Sequence, residues 1–103
     1  EYVAVTPTGD LYPCHQFVGD KKWEMGNVLT DTLDQAMKHR FALTNVYTKS
    51  ECKNCWAKFY CSGGCNANNL KYEGNIRKPH TISCELEKKR LECAVMIQAA
   101  LAE

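Results

Sequence analysis

Positions 2–6, Tyr-Val-Ala-Val-Thr, are aromatic or β-branched with one small residue between, the side chains that suit a pleated strand. Pro7-Thr8-Gly9-Asp10 is turn chemistry, and Leu11-Tyr12-Pro13 resumes an extended segment. The pattern predicts a β-hairpin whose second strand stops at Pro13, which has no N–H to offer a ladder. Residues 15–30 have no period, and Gly19-Asp20 and Gly26-Asn27 mark turns. From Thr30 or Asp31, acting as a cap, a helical period places Leu33, Ala36, Met37 and Phe41 on one face and fades near Thr44-Asn45. Residues 50–66 read as loops, 67–72 as a helical turn and 74–79 as a loop. A longer helix runs from about Ser83 to Ala102, with Leu86, Arg90, Cys93, Ile97 and Leu101 in one stripe. The order is hairpin, helix, cysteine-rich loops, longer C-terminal helix, which is an α+β fold in one small domain over 1–103.

Charge narrows the partners. Thirteen basic against twelve acidic residues give a net charge of +1. That is no electrostatic footprint for nucleic acid or for an anionic membrane. No apolar run approaches the roughly 18 residues of a membrane span. The first residues have no basic n-region, so no signal peptide is expected. They also include no initiator Met, which suggests a piece of a longer chain or a processed product.

The cysteines carry the chemistry. Cys52, Cys55, Cys61 and Cys65 are spaced C-x2-C-x5-C-x3-C, with Cys14 before them and Cys84 and Cys93 after. Packing does not require thiols at that density, whereas a metal or an iron–sulfur cluster does. Seven cysteines is an odd count, against a secreted disulfide framework. C-x2-C makes a tight turn that aims two sulfurs at one centre, a metal spacing suited to a reducing cytoplasm. Two metal readings stand. A single zinc would take Cys52, Cys55, Cys61 and Cys65 in a zinc-stabilised interaction module, leaving Cys14 and Cys84 unused. Alternatively, Cys52, Cys55, Cys61 and Cys84 hold one [4Fe–4S] cluster, while Cys65 turns toward a second that Cys14 also binds, as the last Cys of a ferredoxin run serves the other cluster. Gly63 and Gly64 would let the chain reverse between the two sites.

The run Cys14, Gly26, C52-x2-C55-x5-C61-x3-C65 and Cys84 resembles the SPASM domain, the auxiliary-cluster extension of radical S-adenosylmethionine enzymes that modify peptides. The stretch from Glu1-Tyr-Val-Ala-Val-Thr-Pro to Tyr12-Pro-Cys-His-Gln-Phe is similar to the maturases that form thioether crosslinks in six-cysteine precursor peptides. The resemblance implies a parent chain with a radical catalytic domain, a Cys-rich precursor peptide as substrate, a cytoplasmic setting and up to two [4Fe–4S] clusters. It implies that the fully ligated cluster carries electrons and that the cluster near Cys14 and Cys65 has an open iron for a substrate thiolate. Asp31 departs from the family pattern, which has Cys there, and reads as a helix cap with oxygen ligation as the alternative. A further family cysteine would fall before Glu1. The C-x3-C-x2-C loop of the radical cluster is absent from these 103 residues, so catalysis by them alone is not expected.

Other residues default to structure. Cys93 reads as a core residue in the helix stripe. His15, His39 and His80 read as structural, with ligation by His15 the alternative. Trp56, Phe59 and Tyr60 read as core that also shields a cluster. Lys49, Lys53 and Lys58 flank the cysteines and read as solvated, with an offset to the negative charge of a thiolate-ligated cluster as the alternative.

Overall fold

The alternating start of the chain pairs as its pattern predicts. In the computed structural model, which describes residues 2–102, β1 (Ala4–Val5) runs antiparallel to β2 (Asp10–Tyr12), with Ala4 opposite Tyr12. The turn closes through Gly9 N–H on the Thr6 carbonyl at 2.9 Å. β2 ends at Tyr12, immediately before Pro13. The sheet then continues through segments too short to show alternation. β3 (Gly26–Asn27) pairs with β2, and β4 (Thr32–Leu33) pairs with β3, in the order β1-β2-β3-β4. Gly26 has φ +144°, and a Cβ there would overlap the Thr32 carbonyl across the β3–β4 pair. Only glycine fits that position.

The described chain divides into two compact units, one through Thr44 and one from Asn45 onward. The first has an aromatic core. Two 3-10 turns, His15–Phe17 and Lys21–Trp23, bury Phe17 and Trp23 in a stretch whose sequence has no period. Their rings lie 5.0 Å apart, and Phe41 meets both edge-on at 5.8 Å. Tyr12 and Met25 complete this core.

The helix that carries Phe41 starts later than its pattern suggested. α1 spans Gln35–Ala42, and its cap is Asp34, whose carboxylate accepts the Met37 N–H at 3.0 Å. Asp31 is not the cap. It lies at φ +52° and closes a 3-10 turn over Val28–Thr30. Leu33 therefore belongs to β4, because the sheet takes that residue from the helical period, and Ala36, although within α1, is exposed.

The second unit is helical: α2 (Ser50–Lys53), α3 (Lys58–Cys61), α4 (Asn66–Glu73) and α5 (Thr81–Leu101). The apolar residues buried in its interior are few: Cys52, Ala57, Ile76 and Pro79. The largest side chains fully buried there are Lys49, Ile76 and Asn69. Trp56, Phe59 and Tyr60 are exposed, so they form neither a core nor a shield. The stripe on α5 is also open to solvent: Leu86, Arg90, Cys93, Ile97 and Leu101 are all exposed. Cys93 is thus a surface thiol and not a core residue. No helix among the described residues is long and apolar enough to cross a membrane.

Candidate metal centre

Short turns bring the thiols together. The Cys52 N–H donates to the Lys49 carbonyl and the Cys55 N–H to the Cys52 carbonyl, each at 3.0 Å, so C-x2-C is wound tightly over α2. The Lys58 ammonium closes the end of α2 on the Lys53 carbonyl at 2.9 Å. One turn later the Cys61 N–H donates to the Ala57 carbonyl at 2.9 Å, forming α3. Ser62, Gly63 and Gly64 follow at φ +61°, +90° and +77°. Three left-handed residues in a row reverse the chain, and Cys65 then leads into α4. The reversal that the glycine pair suggested is present. Cys84 sits in the first turn of α5, its N–H on the His80 carbonyl at 3.0 Å.

Cys52, Cys55, Cys61 and Cys84 line one cavity of about 210 Å³, and Cys65 does not. Water's share of liquid volume is about 30 Å³, so the space exceeds what one ion fills. Among the described residues, no three His, Cys, Asp or Glu side chains converge closely enough to chelate a single ion. Four thiols around one cavity are the kind of donor set that an iron–sulfur cluster takes. Burial pushes the Cys52 thiol up against the pull of Lys49. Burial also pushes the Cys84 thiol up, with Cys61 adding to it. Metal must displace those protons to bind.

A buried polar frame holds the cage. Lys49 is 1% exposed, contrary to its expected solvation. Its ammonium donates to the Gly63 carbonyl at 2.8 Å and to Asn66 Oδ1 at 3.2 Å. Burial pushes its pKa down, while Cys52, Cys61, Cys65 and Cys84 within electrostatic reach pull it up. Asn69, 2% exposed, accepts the His80 N–H at 3.0 Å and reaches the Gly63 and Ile76 carbonyls at 3.5 Å. The His80 ring stacks on Tyr72 at 4.6 Å and meets Glu73 at 3.4 Å. Sequence reasoning named Lys49 as a solvated flank, with charge offset the alternative, and did not foresee its burial; it missed Asn69 altogether. The only signal was indirect: a Gly-Gly turn between two ligands leaves a carbonyl that needs a donor.

Cys14 precedes the first 3-10 turn, partly buried, with its carbonyl accepting the Phe17 N–H at 3.1 Å. His15 and Asp31 are exposed. Cys14 belongs to the first unit and Cys65 to the second.

No curated protein matches this chain. The profile of the SPASM family, described as an iron–sulfur cluster-binding domain, matches residues 1–56, which include Cys14, Cys52 and Cys55. With more than half of its length matched, and with a thiol-lined cavity of fitting chemistry, the chain belongs to the SPASM iron–sulfur cluster-binding domains.

Proposed function

We propose that both units form one auxiliary-cluster domain of a cytoplasmic radical S-adenosylmethionine enzyme that installs thioether crosslinks in a Cys-rich precursor peptide. Cys52, Cys55, Cys61 and Cys84 hold one [4Fe–4S] cluster, and Cys14 and Cys65 contribute to a second. The observation that carries this reading is the second unit's interior: four cysteines face one cavity, where the buried apolar residues are few. Such an interior needs metal ligation to complete it.

Closing a carbon–sulfur bond removes a hydrogen atom from carbon and a proton and an electron from the thiol. An electron acceptor is therefore required, and one-electron transfer is the chemistry that a thiolate-ligated cluster supplies when bound. This chain's own residues position the thiolates and limit water access to Cys52, which is buried. The parent's radical catalytic domain supplies the hydrogen abstraction.

The test is anaerobic reconstitution of the 103-residue chain with iron and sulfide, followed by counts of iron, sulfide and zinc. Brown protein with matched iron and sulfide supports the reading. Colourless protein that binds zinc alone contradicts it.

A further inference from the structure

We propose that Lys49 is a buried counter-cation of the thiolate cage, and that its charge raises the reduction potential of the cluster held there. This rests on the cluster reading above.

The ammonium is buried inside the second unit, and its two acceptors, Gly63 O and Asn66 Oδ1, are both neutral. A buried charge is costly unless it is paired. The opposite charges that act on it most strongly are those of Cys52, Cys61, Cys65 and Cys84 as thiolates. Neutral thiols leave the ammonium uncompensated, whereas a loaded cage compensates it. The backbone is built around this side chain. Gly63 lies at φ +90°, and a Cβ there would stand 3.0 Å from the Lys49 nitrogen. The lysine therefore occupies the space that a side chain at position 63 would take.

Reduction adds one electron to an already anionic cluster. A fixed positive charge in a low-dielectric interior favours the more negative state. Lys49 therefore raises the potential from behind the Gly63 turn, in addition to Lys58, Lys78 and Lys88, which line the cavity, whereas the exposed Lys53 does not. Lys49 is a positioning residue and not a ligand, and its charge separates that role from simple anchoring of the Gly63 carbonyl.

The experiment compares wild type, Lys49→Gln and Lys49→Arg after anaerobic reconstitution. Each is titrated with dithionite against dye mediators and followed by electron paramagnetic resonance. Gln keeps a donor for Gly63 O but removes the charge, while Arg keeps the charge. We expect Lys49→Gln to shift the reduction equilibrium at least tenfold against the reduced form, about 59 mV for a one-electron couple. Lys49→Arg should stay close to wild type. An unchanged potential in a loaded Lys49→Gln variant overturns the proposal and leaves the cluster reading intact. Wild type that takes up no iron–sulfur overturns both readings, and it does so before any variant is compared. If Lys49→Gln fails to fold, reduced wild type and Lys49→Arg, each carrying nitrogen-15 lysine, decide the matter. A weak nitrogen coupling to the cluster spin that is present in wild type and lost in Lys49→Arg supports the proposal, and a coupling that is absent or unchanged in Lys49→Arg overturns it.

Discussion

The backbone N–H of His80 donates to the carboxamide oxygen of Asn69 at 3.0 Å, which ties the start of α5 to the middle of α4. α4 follows Cys65, and the first turn of α5 carries Cys84, so this bond joins two thiol-bearing segments through a side chain that is 2% exposed. Replacing Asn69 with Leu leaves the part-buried His80 N–H without its partner. The expected cost is about 1–3 kcal/mol. An anaerobic denaturant melt of the loaded protein should show it, together with faster iron loss to a chelator. An unchanged midpoint would mean that the frame does not hold the cage.

Gly26→Ala should damage the first unit alone in its β3–β4 pairing. The residue lies at φ +144° with no space for a Cβ. Strain of this kind costs about 1–3 kcal/mol. Trp23 is buried and Trp56 is exposed, so a Trp56→Phe background reports on the aromatic core through Trp23 fluorescence. The variant should unfold at lower urea with an earlier red shift, and coincident curves would refute the steric argument.

Cluster loading should depend on pH in a defined direction. Burial raises the Cys52 and Cys84 thiols above their ordinary value of 9.0. For an acid with a raised folded pKa, the stabilising contribution to the metal-free fold is present below that ordinary value and is lost as pH rises through the raised one. Metal binding runs the other way, because iron binds thiolates and releases their protons. Iron uptake at fixed iron and sulfide should therefore increase from about pH 6.5 to about pH 8.5. A flat profile would show that these thiols are not deprotonated on binding.

The hairpin, the long last helix and the reversal at Gly63-Gly64 were legible because each rests on local rules of alternation, helical period and backbone freedom. The second half of the sheet was not, since β3 and β4 are two residues each and Gly26 acts through a cross-strand contact. The same sheet displaced the helix cap from Asp31 to Asp34, a tertiary override of a local signal. Cys93 and the α5 stripe were assigned to a core on periodicity alone, yet that face is exposed. In the cysteine region, spacing identified the thiols but not what orders them. Lys49 and Asn69 are polar residues in loops and on a short helix, and their burial follows from the shape of the Gly63 turn, which no linear pattern records.

The most direct test of the central claim is the iron and sulfide content of the Cys14→Ala/Cys65→Ala double variant, measured with and without Cys84→Ala. With Cys52, Cys55, Cys61 and Cys84 intact, the double variant should hold about four iron and about four sulfide per chain, as one [4Fe–4S] cluster requires. Adding Cys84→Ala should remove most of that iron and destabilise the second unit, whereas adding Cys93→Ala, at an exposed thiol, should change neither count. Full iron retained without Cys84, or iron lost from the double variant itself, would contradict the assignment of these four cysteines to one cluster.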